Sequence, residues 1–350
     1  MKLAAADLET AIAEYLMAVG AEVREARLVA DVLLQADMRG IHTHGCVYLP
    51  IIAERIKHSL LTLPTRLKRI TDDKTTSVID GNNGLGQVAA AEAMNLCIHK
   101  AGEAGVAVVL VRNTNNIGFL GYYSTMAAAA GMVGICMTNA AAAIAPWGGA
   151  EALFGTNPLS VAVPVAGSYP IVLDMSSSVV ARGKIRNAQR QNKKIPEGWA
   201  LDAAGVPTTD PSEALKGTVQ PIAGPKGYGL ALIVDILCGL LSGSKYGPDL
   251  LTFHEPQGPT GVGATVIAID IARFMPPDRF GVLAADYART IRDSKKAKGV
   301  DRIFLPGEIE AEKEILSRMQ GIEVDSKLVE KINLLLEEKN LSFRIEGNRS

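Results

Sequence analysis

From Asn113 to Ala150 the chain carries no charged residue, and within that stretch MAAAAGMVGICMTNAAAAIAPWGG (Met126–Gly149) is strongly apolar. Such a segment must leave water, either as a membrane span or as the inside of a folded core. A spanning helix needs about 20 largely apolar residues in succession. Here Gly131, Gly134, Thr138, Asn139 and Pro146 interrupt the run, and no basic flank follows it. A buried sheet packed against a helix accounts for the pattern better, so no membrane partner is expected.

The neighbouring segments agree. SVID (Ser77–Asp80), VAVVLVR (Val106–Arg112), MVGICMT (Met132–Thr138), LSVAVPV (Leu159–Val165), PIVLD (Pro170–Asp174) and TVIAIDI (Thr265–Ile271) are short, apolar and mostly rich in β-branched residues, as strands are. Helical patterns lie between them, notably Gln87–Gly102, Val179–Gln191 and Gly227–Leu241. Strands alternating with helices predict an α/β domain whose sheet is covered by helices. The first residues read differently. A helix capped by Asp7 and stopped by Gly20, a second from Glu22 to Asp37, and a third from Tyr48 to Lys57 form a small helical unit. Two charged helices, Glu308–Gln320 and Ser326–Glu338, close the chain. The expected division is a helical unit of residues 1–70 rejoined by 308–345, and an α/β unit of residues 71–307.

A length of 350 residues and a hydrophobic share of 48% allow a sizeable core. The formal net charge of −1 and the lack of a basic stripe argue against nucleic acid as a partner. Cys46, Cys97, Cys136 and Cys238 show no metal-binding spacing and read as free and buried. Asp7, Glu9 and Glu14 fall where a secretory leader would be apolar, so the expected compartment is the cytoplasm.

Five short motifs carry possible chemistry. GNNGLGQ (Gly81–Gln87) joins a strand to a helix, where a phosphate-cradling loop would sit, yet it lacks GxGxxG spacing and a following acidic residue; a tight turn and helix start explain it better. PKGYG (Pro225–Gly229) opens an apolar helix and reads either as an anion site around Lys226 or as a turn. NTNNIG (Asn113–Gly118) puts four polar, uncharged side chains at a strand's end, suited to orienting a ligand or to making a turn. In LDMSSSVVARGKI (Leu173–Ile185), Asp174 either orients a histidine or a ribose hydroxyl, or caps the next helix. RGIHTHG (Arg39–Gly45) sets His42 and His44 two residues apart. An extended segment would point them to opposite sides, so one shared metal is disfavoured and no metal is expected; a turn histidine can instead move protons near neutral pH, or simply lie on the surface.

Together with PWGG, FGTNP, GVPTTDP, GPKGYGLAL and LPGE, these motifs resemble the malate/L-lactate dehydrogenase family that does not use a Rossmann fold, from the first helix to about Asp325. The resemblance implies a homodimer in which an NAD(P)-binding α/β domain with an unusual mixed sheet joins a helical domain. It also implies hydride transfer between a nicotinamide and a 2-hydroxy acid, 2-oxo acid or related carbonyl or imine. The cofactor expected is NAD, with NADP the alternative. By position His44 is the acid/base candidate, and Asn116 and Asp174 are further catalytic candidates. Tyr48, Arg39 and Thr43 are the substrate-side candidates. Asn139, Leu173, Asp174, Met175, Ser176, Ser177, Ser178, Pro225, Lys226, Pro306, Gly307 and Glu308 match cofactor-contacting positions.

Two departures stand near the substrate. Many relatives have a histidine where this chain has Asn116, and an arginine where it has Tyr48. Asparagine exchanges no proton near neutral pH, and tyrosine offers a neutral hydroxyl in place of a bidentate fork. Another cation, such as Arg39, Arg112 or Arg182, would then have to meet a substrate carboxylate. The departures also leave room for a dinucleotide-binding paralogue with little dehydrogenase activity.

Overall fold

The computed structural model describes residues 1–346. After a two-residue strand, β1 (Lys2–Leu3), come α1 (Ala5–Ala18), α2 (Val23–Met38) and α3 (Tyr48–Lys57). Next are β2 (Lys68–Asp72), β3 (Thr76–Asp80), α4 (Gly86–Ala104), β4 (Val106–Thr114), α5 (Gly121–Ala129), β5 (Met132–Thr138), β6 (Leu159–Val163) and β7 (Ile171–Met175). Helix α6 (Arg182–Arg190) leads into a small sheet, β8 (Ala200–Leu201), β9 (Pro207–Thr208) and β10 (Thr218–Val219), with α7 (Pro211–Lys216) inserted. The chain ends with α8 (Pro225–Asp235), β11 (Val262–Asp270), α9 (Pro277–Arg292), α10 (Glu308–Gln320), β12 (Ile322–Glu323) and α11 (Ser326–Glu338).

The main sheet has the order β2-β3-β4-β11-β5-β6-β7. Only β3 and β4 run parallel, with α4 as their crossover; every other neighbouring pair is antiparallel. The sheet is therefore mixed, as expected, and lacks the run of parallel strands that a Rossmann fold requires. One face is sealed by α4 and α5, where Met94, Cys97, Leu120 and Tyr123 meet Val109, Val111, Cys136 and Val266. This core absorbs much of the charge-free run. Among the described residues no helix is long and apolar enough to cross a membrane. A second core joins Leu8, Ile12 and Leu16 of α1, Val29 and Leu33 of α2, Leu49 and Ile52 of α3, and Val329, Ile332 and Leu336 of α11. All four cysteines are free and buried.

Several boundaries differ from the sequence reading. Helix α1 starts at Ala5 with Ala4 as its cap, so Asp7 lies inside the first turn, where a carboxylate still favours the helix dipole. Helix α6 begins at Arg182, three residues later than expected, and α8 begins at Pro225 and gives way to a π turn over Ile236–Leu240. The GNNGLGQ loop is filled by the chain itself. Asn83 N donates to Asn113 O (2.8 Å), Asn115 Nδ2 donates to Gly84 O (2.9 Å), and a Cβ on Gly86 would lie 2.3 Å from Asn115 O. The glycines let two loops touch.

Candidate active site

Helix α2 runs out at Met38, and the chain turns through a 3-10 turn, His42–His44, into α3. Asp37, in the last turn of α2, shapes this corner. Its carboxylate accepts from Cys46 N (2.7 Å) and pairs with His42 Nδ1 (3.0 Å). A Cβ on Gly45 would stand 2.1 Å from Asp37 Oδ1, so only glycine lets the carboxylate reach the chain. The hydrogen bond to Asp37 raises the pKa of His42, against the burial of its ring. His42 is thus a strut of the turn. The segment is a turn rather than extended, yet the two histidines still take different partners. Among the described residues no group of three or more His, Cys, Asp or Glu side chains is arranged to hold a metal ion.

His44 faces inward. Its Nδ1 shares a hydrogen bond with Thr43 Oγ1 (3.0 Å), and its ring stacks on Tyr48 with centroids 5.9 Å apart. Burial pushes its pKa down to about 4, and nearby His254 adds to the effect. At neutral pH it is a neutral imidazole. Of the five histidines, His42, His58 and His99 each lie beside a carboxylate; His44 and His254 have none as a partner.

Tyr48, only 4% exposed in the first turn of α3, is the hub of the site. Its ring stacks on Phe253 (5.8 Å) and tilts against His254 (5.8 Å). Burial pushes its pKa up to about 12, while Arg186 and the Asn116 side chain pull the other way, so it stays a phenol. Asn116 accepts from Gly118 N through Oδ1 (2.8 Å), which fixes the amide beside the Tyr48 hydroxyl. The loop bearing Phe253 and His254 is held from the far end of α3. Arg55, 1% exposed, donates to Gly258 O (2.8 Å), Glu255 O (3.3 Å) and Phe253 O (3.5 Å), with its guanidinium 4.9 Å above the Phe253 ring. His254 has its pKa lowered, first by desolvation and then by Arg186.

Helix α6 closes the side of this cluster. Gly183 sits against Thr43, where an added Cβ would be 3.5 Å from Thr43 Cγ2. Arg182 donates to Leu215 O (2.7 Å), and Arg186 stands one turn further on. His254 and Arg186 escaped the sequence reading. His254 lies in an irregular loop without a motif, and Arg186 is one of several cations on a very polar helix. The scarcity of histidines was the one available signal.

The remaining candidates lie elsewhere. Arg39 pairs with Glu314 (2.9 Å) over the Phe119 ring, and Arg112 pairs with Asp80 (2.9 Å). Asp174 accepts from Gly121 N (2.7 Å) at the start of α5 and forms no hydrogen bond with His44. Although the residue keeps an exposed side, desolvation of its carboxyl pushes the pKa up to about 6 against that bond and the Arg39 charge. Asn139, 1% exposed, is a latch: it donates to Asp235 Oδ1 (3.1 Å) and Lys245 O (2.9 Å) and accepts from Gly263 N (2.9 Å).

Leu173–Ser178, Pro225–Lys226 and Pro306–Glu308 do come together. Val172 N donates to Pro306 O (3.0 Å), Ile222 N to Ser177 O (2.9 Å), and Gly227 N to Ile222 O (2.9 Å). The serine hydroxyls are used internally: Ser176 bonds Ser178, Ser177 bonds Thr156 O (2.9 Å), and Ser178 bonds Val180 O (2.8 Å). Burial works against the charge of Glu308. The Leu305 amide, Arg302 and Arg292 outweigh it and hold the carboxyl below its usual range. Lys226 is exposed in the first turn of α8 and has no hydrogen bond or ion pair among the described residues. What this region offers outward is backbone, the exposed side chains of Leu173 and Ile222, and one ammonium.

A family model described as malate/L-lactate dehydrogenase matches residues 3–333. The chain belongs to that family. This dehydrogenase is 37% identical over 332 residues to a malate/(S)-sulfolactate dehydrogenase of Methanothermus fervidus, covering 95% of this chain and 96% of the relative. It is 34% identical over 325 residues to the ureidoglycolate dehydrogenase (NAD(+)) of Escherichia coli, covering 93% of each. Its fold superposes on the sulfolactate dehydrogenase from Methanocaldococcus jannaschii with a TM-score of 0.93 at 37% identity, covering 98% of both chains.

Proposed function

We propose that this dehydrogenase moves a hydride between a nicotinamide cofactor and a 2-hydroxy acid or the corresponding 2-oxo acid, with His44 as the acid/base. One observation carries this reading: His44 is a half-buried, neutral imidazole without a carboxylate partner, stacked on a phenol that an amide side chain also approaches. In alcohol oxidation the neutral imidazole takes the hydroxyl proton. In carbonyl reduction the protonated imidazole returns it to the developing alkoxide. Tyr48 and Asn116 orient the reacting oxygen by hydrogen bonds. A positioned acid/base of this kind contributes typically ~10²–10⁴-fold.

The cofactor reading rests on the region around Lys226. Its exposed ammonium at the first turn of a helix, beside the fixed backbone of Ser177 and Ile222, suits the anionic half of a dinucleotide. The nicotinamide, when bound, supplies the hydride acceptor or donor at C4. NAD is preferred over NADP because relatives include an NAD(+) enzyme, although another relative is named for NADP(+). Within this reading residues 1–70 with 308–345 form the helical unit and 71–307 the cofactor-binding unit. β2 straddles that boundary because its edge strand joins the sheet early. A homodimer fits the exposed apolar side chains Ile233, Leu240 and Leu241 along α8 and its extension.

The test is NADH oxidation over malate-, lactate- and ureidoglycolate-related oxo compounds, cyclic imines and neutral diketones. Turnover of an oxo acid is expected. NADH binding with no compound turned over would instead leave a binding paralogue.

A further inference from the structure

Where the resemblance implies an arginine four residues after His44, this chain has Tyr48. The arginines near the site are mostly engaged. Arg39 is paired with Glu314, Arg112 with Asp80, Arg55 is spent on three carbonyls, and Arg182 donates to Leu215 O. Arg186 is different. It is half-buried, it shares a face of α6 with Arg182 at i and i+4, and it has no hydrogen bond or ion pair among the described residues. The seating of Gly183 on Thr43 fixes that helix against the His44 turn.

We infer that Arg186 is the anchor for the carboxylate of the substrate, supplied from α6 in place of the missing α3 arginine. This deepens the hydroxy-acid reading and rests on it. Charge balance supports it. His44, His254 and Tyr48 are uncharged at neutral pH, and Glu255 is the carboxylate whose charge reaches Arg182 and His254. Glu255 acts on Arg182 and its Oε2 accepts from Gln257 Nε2 (2.9 Å), so the Arg186 fork stays open for a ligand. The charge of Arg186 reaches both Tyr48 and His254, and Tyr48 is the ring that stacks with His44. A guanidinium takes a carboxylate through two parallel N–H···O bonds, a geometry the Tyr48 hydroxyl cannot supply. Acids are therefore held and neutral diketones are not.

Oxamate, a carboxylate with a carbonyl neighbour, is the probe, titrated into the enzyme saturated with NADH. Arg186→Met should weaken oxamate by about 10- to 100-fold, the usual cost of a lost charged hydrogen bond, with NADH affinity within about twofold. Adding Tyr48→Arg to the same chain should recover part of the loss. Should the Met variant fail to bind NADH, Arg186→Gln is read by the same criterion. Unchanged oxamate affinity in either variant, or no oxamate binding by the parent enzyme, overturns the inference. Oxamate binding that depends on Arg186 in an enzyme that turns over no acid leaves the anchor standing and removes the dehydrogenase reading.

Discussion

The His44 corner and the Lys226 region solve opposite problems. At the corner, reactive side chains are kept without charged partners: His44 and His254 have no carboxylate and Arg186 has no counter-ion, while the supporting carboxylate of Asp37 and both terminal guanidinium nitrogens of Arg55 are bonded to the chain. Around Lys226 the reverse holds. The hydroxyls of Ser176, Ser177 and Ser178 and the carboxylate of Glu308 bind their own chain, and fixed backbone faces outward. Proton transfer needs a side chain free to change state. Holding a large anionic ligand needs donors that do not move.

That contrast can be broken experimentally. His44→Ala should cut turnover by ~10²–10⁴-fold and leave NADH affinity nearly unchanged in a fluorescence titration. Asp37→Ala, which strands Cys46 N and frees His42, should cost about 1–3 kcal/mol in denaturant unfolding and lower kcat more than tenfold. Asp37→Asn should lose less, because it keeps an acceptor. Lys226→Ala should behave in the mirror sense, raising the NADH dissociation constant by up to about tenfold while kcat at saturating NADH stays constant. If His44→Ala and Lys226→Ala shifted the same parameter, the two regions would not divide the work.

Much of this division was legible in the residues. The spans of α3, α10 and α11 follow directly from apolar spacing, and β4, β5 and β7 from β-branched runs. What stayed hidden was mostly long-range. β2 is exposed at every position and so shows no alternation; α9 is charged and only Ala288 is buried. The insertion of β11 between β4 and β5 is set by pairing across distant segments, which no local pattern encodes. In the site, His44 stood out by residue type. His254 and Arg186 joined it only because Arg55 pins one loop and Gly183 seats one helix. The serines matched cofactor positions, although their hydroxyls point inward to their own chain.

The central claim, that His44 exchanges the reacting proton, is tested most directly by the pH dependence of kcat/KM for alcohol oxidation, which reports the essential base of the free enzyme. Burial lowers the His44 pKa, so the base stays unprotonated down to unusually low pH. The expected acid limb falls through about 4 instead of the ordinary imidazole value near 6.5. In kcat the limb should move upward, because a bound carboxylate favours the imidazolium. The residual activity of His44→Ala should lack the limb. An acid limb at or above 6.5, or one that survives in His44→Ala, would contradict the assignment.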